Sequence, residues 1–367
     1  MMRLALDATP LLGPRSGVGE VVHGIVPELA RRPDVDLVAY ALTWRGRQHL
    51  AAALPPGVHP ATRPYPARAV RQAWLRSEHP HVERWTGRVD VVHATNYVGP
   101  PTKAGEVVSV YDLGFAHSPA FVTADALDYP ELLRRAVRRG AWFHTTSDFV
   151  RDEVLEMFAV PAERVVRVYP GIPPIVGGDA ARGRLLAGAE RYVLAIGTIE
   201  PRKNYPMLVQ AFDAVAGCVP ELVLVVAGGR GWGADAFDAA TAAAHHRDRV
   251  HAPGYVSATD RRDLLAGASV LAFPSHYEGF GFPPIEAMVA GVPVVTTRAG
   301  AVPEVVDDAA LLVGPDDVDA LASALHTVLT DDDVRRSLVA RGHERHGAFS
   351  WTRTVDGLLD LYRAVRV

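Results

Sequence analysis

Short apolar runs alternate with longer stretches whose apolar positions recur at helical spacing. In the first half the runs predict strands at 3–7, 35–41, 89–93, 107–111, 143–145 and about 165–169. Between them, helices are expected from 17 or 18 to 31, near 129–139 and over 148–157. Pro170, Pro173, Pro174, Gly177 and Gly178 then interrupt all periodicity. The pattern restarts with strands at 192–196, 222–227, 269–273 and 293–297 and helices at 205–216, 234–244, 259–266 and 285–290. Further helices are expected within 316–346 and over 351–366. Strands alternating with helices predict a parallel sheet covered on both faces. Two such halves make an α/β protein of two Rossmann-like domains, 1–172 and 191–348, with a linker at 173–190.

Candidate chemistry concentrates after the strand at 269–273. Glu278, Gly279, Phe280 and Gly281 form a loop, Pro283 and Pro284 open a helix, and Glu286 is read into that helix's first turn. This is the carboxyl edge of a parallel sheet, where α/β proteins bind ligands. A carboxylate accepts hydrogen bonds from vicinal hydroxyls, and glycines let backbone N–H groups approach closely, so the pattern suits a sugar or a ribose. Alternatively, Glu286 is an acid near a helix N-terminus, favoured by the dipole. A second cluster, Gly197 to Asn204, follows the strand at 192–196 and opens the next helix; Arg202 and Lys203 there suit an anion, or form an exposed basic turn. Of 38 cationic residues only Lys103 and Lys203 are lysine, and the only asparagines are Asn96 and Asn204, so the Lys203-Asn204 pair stands out.

Composition narrows the classes. One cysteine, Cys218, excludes an intramolecular disulfide and a cysteine metal cluster. The fifteen histidines show no metal-ligand spacing, so neither metal nor cofactor is expected. No run approaches a membrane span and no leader pattern opens the chain, so a cytoplasmic location is expected. A net charge of −4 gives no reason to expect nucleic acid. Arg134, Arg135, Arg138 and Arg139 fall on one predicted helix; they form either a solvated face or a peripheral contact with anionic lipid.

Glu278 to Glu286 reads Glu-Gly-Phe-Gly-Phe-Pro-Pro-Ile-Glu. It resembles the Glu-x7-Glu signature of retaining nucleotide-sugar glycosyltransferases of family 4, which have the GT-B fold. Their Gly-x4-Arg-Lys-Asn segment matches Gly197 to Asn204, and the loop Gly13 to Gly19, Tyr111-Asp112, Thr146-Ser147-Asp148 and Tyr169-Pro170-Gly171 follow in family order. The resemblance implies two parallel sheets facing across a cleft, with the donor on the second domain, the acceptor on the first, and the terminal helix 349–367 crossing back. It further implies that Arg202 and Lys203 bind the donor diphosphate, Glu278 faces the hexose, and Glu286 holds the ribose. Gly279, Phe280 and Gly281 would offer N–H groups, while Gly17 and Gly19 reach the diphosphate and acceptor. Many relatives have His-Asp where this chain has Tyr111-Asp112; a phenol donates a hydrogen bond but is not protonated near neutrality. Asp112 is either a catalytic acid or a turn residue, and Ser147 reads as a helix N-cap.

The implied activity is transfer of a mannose-like hexose to a sugar, glycolipid or other hydroxyl, with retention and without metal. A sugar-nucleotide 2-epimerase would instead release an isomer without an acceptor. A catalytically silent nucleotide-sugar-binding partner is the reading from another class.

Overall fold

The structure is a computed structural model and describes residues 1–13, 17–44, 46–64, 66–117, 126–173 and 177–366. The chain divides into two compact units, Met1–Pro173 with Phe349–Val367, and Pro174–Ala348. Strands of the first are β1 (Met2–Asp7), β2 (Val35–Tyr40), β3 (His59–Pro60), β4 (Val91–Ala94), β5 (Gly105–Val110), β6 (Trp142–Thr145) and β7 (Val165–Arg167). Those of the second are β8 (Tyr192–Ile196), β9 (Val223–Ala227), β10 (Val250–Gly254), β11 (Val270–Phe273), β12 (Val294–Thr297) and β13 (Ala310–Val313).

Every named strand pairing is parallel. The orders are β3-β2-β1-β4-β5-β6-β7 and β10-β9-β8-β11-β12-β13. Central strands such as β8, β9 and β11 are buried at every position, as strands covered on both faces must be. In each sheet the order reverses once, between β1 and β4 and between β8 and β11, and the loops diverging there leave a crevice at the carboxyl edge.

The expected linker at 173–190 is corrected. Within it lies a helix, Ala180–Ala187, capped by the Asp179 carboxylate and packed on the helix Ala258–Gly267. Gly183 there lies so close that a Cβ would sit 1.9 Å from the Asp263 carbonyl oxygen. The neighbouring Pro and Gly residues had hidden this element. Three edge strands were also missed: β3, of two exposed residues, β10 and β13. β10 is largely exposed and contains Pro253, so it presents no apolar run, and β13 is only four residues long.

The terminal helix, Trp351–Val365, belongs to the first unit and buries Val355, Leu358, Leu359, Leu361, Tyr362 and Val365. It ends a buried polar chain. Tyr362 Oη lies 2.6 Å from His93 Nδ1, His93 Nε2 is 2.8 Å from Ser109 Oγ, and Ser109 Oγ is 2.8 Å from His144 Nδ1. His144 Nε2 is 3.1 Å from the Val168 carbonyl oxygen. That carbonyl can only accept, which sets every proton along the chain. His144 donates to it from Nε2 and accepts from the Ser109 hydroxyl at Nδ1; Ser109 accepts from His93 Nε2–H, and His93 accepts from the Tyr362 hydroxyl. All four groups are satisfied only with both imidazoles neutral. Burial, with His144 adding to it, pulls His93 well below its ordinary value, and burial lowers His144 to about 4.

An unfolded chain would protonate both rings near 6.5 and so binds more protons than the fold below that pH. This contribution to stability is whole above about pH 6.5 and is lost as pH falls toward 4. Tyr362→Phe removes the donor to a buried acceptor and should cost about 1–3 kcal/mol. Thermal unfolding at pH 7.5 and pH 5 checks both statements. An unchanged midpoint in the variant would mean that the Tyr362–His93 hydrogen bond adds nothing to the docking of the terminal helix.

Candidate active site

In the second unit the chain after β8 turns through Gly197 into a short 3₁₀ turn, Pro201–Lys203, and then the helix Tyr205–Ala216. Asn204 joins them with φ 51°, a left-handed conformation that asparagine tolerates. Its amide donates to the Pro315 carbonyl at 3.0 Å. The rare asparagine thus forms the left-handed junction between the turn that carries Lys203 and the helix that follows.

The loop after β11 is laced to this turn. His276 N–H donates to the Arg202 carbonyl at 2.8 Å, and the Arg202 guanidinium donates to the Tyr277 carbonyl at 3.2 Å. The side chains then converge on Glu278. Lys203 Nζ is 2.6 Å from Oε1, Arg202 Nη1 is 2.7 Å from Oε2, and the Ser275 hydroxyl donates to Oε1 at 2.8 Å. Lys203 Nζ also stands 4.7 Å from the Phe273 ring centroid. Glu278 and Lys203 are buried, whereas Arg202 is 38% exposed.

Burial alone would raise the Glu278 carboxyl; the Lys203 and Arg202 charges, with hydrogen bonds from Lys203 and Ser275, outweigh it and hold the group down at about 2. Burial pulls Lys203 below its ordinary value and Arg202 adds to that, while Glu278 opposes them. The cluster thus holds a carboxylate ionised with two cations beside it, at the crevice where β8 and β11 part.

Gly279, Phe280 and Gly281 follow, all buried, with the Phe280 ring 5.1 Å from that of Phe282. Gly281, at φ 95°, caps the helix Phe282–Val289. Pro283 and Pro284 lie in its first turn, where no N–H is needed within the helix. The helix starts earlier than expected, so Glu286 is its fifth residue and its first turn holds no acid. That corrects the first-turn placement and takes Glu286 out of reach of an N-cap role. Glu286 is buried and paired instead with Arg261, from the helix Ala258–Gly267.

The remaining candidates lie in the first unit. Gly17 and Gly19 begin the helix Gly17–Ala30, and residues 14–16 of the Gly13 to Gly19 loop lie outside the described residues. Tyr111, just past β5, is buried, which raises its phenol and keeps it protonated. Asp112 Oδ1 accepts from the Gly114 N–H at 2.9 Å, a turn arrangement. Ser147 caps the helix Asp148–Phe158 as read.

The arginines of the basic helix, Tyr129–Arg139, have carboxylate partners. Arg135 pairs with Glu78, and Arg139 lies 2.6 Å from Glu106 and 3.0 Å from Glu78. Arg138 pairs with Glu131 at 2.7 Å, and Arg134 lies 3.9 Å from the same carboxylate. Among the described residues no group of three His, Cys, Asp or Glu could hold a metal, and no helix is long and apolar enough to cross a membrane.

Residues 180–345 match the glycosyl transferases group 1 family and residues 15–174 match glycosyltransferase family 4. The chain is 32% identical over 297 residues to the O-antigen chain mannosyltransferase B of Escherichia coli, spanning 78% of each chain. It is 28% identical over 409 residues to a D-inositol 3-phosphate glycosyltransferase of Kineococcus radiotolerans, spanning 97% of this chain and 92% of that one. Its fold is similar to Anabaena Alr3699/HepE in complex with UDP and glucose, at TM-score 0.73 and 18% identity over 99% of this chain and 100% of that one. WaaG, a glycosyltransferase involved in lipopolysaccharide biosynthesis, gives TM-score 0.74 and 19% identity over 98% and 99%. This chain therefore belongs to the group 1 glycosyltransferases and has the GT-B fold.

Sequence reading missed three supports of the site: Ser275, Arg261 and Gly300. Gly300, at φ 55°, packs on the Glu278 backbone so closely that a Cβ would lie 2.3 Å from its carbonyl oxygen. The next residue, Ala301, donates its N–H to that carbonyl at 2.8 Å. Gly300→Ala is therefore expected to push Glu278 off Lys203 and lower transfer at least tenfold, the scale of an ångström's misplacement in a site. Steady-state kinetics with circular dichroism on the purified variant decides this. Wild-type turnover would show that the loop yields without moving the carboxylate.

Proposed function

We propose that this glycosyltransferase moves a hexose from a nucleotide diphosphate sugar to an acceptor hydroxyl, with retention of anomeric configuration and no divalent metal. The observation that carries the reading is the convergence of Arg202 and Lys203 on Glu278 at the crevice of the second unit's sheet. The bond from the anomeric carbon to the diphosphate oxygen breaks first. The carbon gains positive character and the leaving diphosphate gains negative charge, which Arg202 and Lys203 meet with preorganised donors. The acceptor oxygen then bonds to the carbon on the face the diphosphate leaves, and the diphosphate takes the acceptor's proton.

Without donor, Glu278 neutralises the two cations. With donor, the diphosphate takes them over and Glu278 accepts hydrogen bonds from hexose hydroxyls. The N–H groups of Gly279, Phe280 and Gly281 face the sugar and diphosphate, and Glu286 accepts from the ribose hydroxyls. The acceptor is a sugar, a glycolipid or another hydroxyl compound. The UDP and glucose bound in Alr3699/HepE support a nucleoside diphosphate, and the mannosyltransferase of Escherichia coli supports a mannose-like hexose. Neither the epimerase nor the silent-partner reading has an observation in its favour.

Lys203→Ala and Arg202→Ala should each lower turnover by about 10²–10³, the usual loss for one stabiliser of transition-state charge. In the same assay wild-type transfer should survive excess EDTA. Turnover within twofold of wild type in both variants, or abolition by EDTA, would contradict the assignment of the diphosphate to these two side chains.

A further inference from the structure

Glu286 is a buried carboxylate, 7% exposed, in the second turn of a helix whose N-terminal donors it cannot reach. Leaving such a charge unpaired is costly. Its partner is Arg261, whose Nη2 hydrogen-bonds Glu286 Oε2. Arg261 is itself 35% exposed, so one end of the pair faces solvent and the other is buried. The helix Ala258–Gly267 that carries it is fixed at its start, where the Ser257 hydroxyl accepts from Asp260 N–H at 3.1 Å and the Ser257 carbonyl accepts from Arg261 N–H at 2.8 Å. The guanidinium is therefore delivered from a set backbone position and is not a loosely placed surface cation.

The lone pairs then leave room for a ligand. A carboxylate offers about four acceptor sites over its two oxygens. Arg261 takes one on Oε2, and no other hydrogen bond to the Glu286 side chain is recorded among the described residues. Oε1 and the outer lobe of Oε2 stay available, which is what two adjacent hydroxyls of a ribose need.

We propose that Arg261 is the positioning residue of the ribose subsite: it holds the Glu286 carboxylate in one orientation, so that it meets a vicinal diol without first being ordered. This rests on the reading of Glu286 as the ribose acceptor. Arg261 acts through Glu286 and makes no claim on the diphosphate. Its contribution therefore vanishes when either the diol or the carboxylate is removed. Lysine is a poor substitute, because its point charge lacks the planar fork that fixes a carboxylate's orientation.

The test is titration calorimetry of the full-length protein with uridine diphosphate and guanosine diphosphate, each beside its 2′,3′-dideoxy analogue. Arg261→Ala should weaken the better diphosphate about tenfold, the scale of one charged hydrogen bond. It should leave the dideoxy analogue unchanged and have no further effect in a Glu286→Gln background. Arg261→Lys should recover only part of the loss. Equal loss for the diphosphate and its dideoxy analogue, additive losses with Glu286→Gln, or tighter binding in Arg261→Ala would each overturn the inference. Lys203→Ala is carried in parallel. If it loses affinity while Arg261→Ala does not, the diphosphate site stands and only this inference fails. If neither diphosphate binds the wild-type protein, the nucleotide reading fails and takes the inference with it.

Discussion

The contact of Lys203 and Arg202 with the buried Glu278 carboxylate is the interaction that fixes the loops at the second unit's sheet edge. A carboxylate and an ammonium taken out of water are expensive, and their attraction recovers that cost only with good geometry and further hydrogen bonds. The fold supplies both. Ser275 donates to the same oxygen that Lys203 binds, and the Thr297 hydroxyl donates to the Ser275 carbonyl at 2.5 Å. Behind them Gly300 and Ala301 brace the Glu278 backbone. In the proposed reaction, a ligand carrying two negative charges replaces one carboxylate without ordering any cation anew.

Topology explains why these groups meet. Lys203 and Glu278 are 75 positions apart in sequence, yet β8 and β11 are neighbours, with Leu194 beside Leu271. Because both strands run the same way, the loops leaving them emerge at one edge, and because the strand order reverses there, a crevice opens between them. The first unit uses the same geometry differently. Its β4, β5 and β6 bring His93, Ser109 and His144 into a row, and the terminal helix completes that row with Tyr362. One unit pairs buried charges at its edge; the other holds neutral imidazoles in its interior.

What could be read from the chain follows from this difference. Glu278, Glu286, Arg202 and Lys203 sit in contiguous segments just after apolar runs, so the loops and the charges they carry were visible. Arg261 and Gly300 act across elements with no local signal: one is an arginine among 38 cationic residues, the other a glycine among 32. The row of histidines was equally invisible, since their spacing means nothing until parallel pairing sets Ser109 beside His144. Central strands were found because burial on both faces makes them uniformly apolar. β10 escaped because an exposed edge allows proline and histidine. On the basic helix the pairing of Arg135 and Arg139 could not be read locally, because Glu78 and Glu106 come from elsewhere in the chain.

The most direct test of the account is the affinity of Glu278→Gln for a nucleoside diphosphate, measured beside its rate of hexosyl transfer. If Glu278 merely occupies the two cations until the donor arrives, removing its charge frees them for the diphosphate while removing a hydrogen-bond acceptor from the hexose. Uridine or guanosine diphosphate should then bind about tenfold more tightly, an effect of roughly 1.4 kcal/mol, while transfer falls. Weaker binding of the diphosphate in this variant would contradict the account, because it would mean that Glu278 organises the cations for the ligand instead of competing with it.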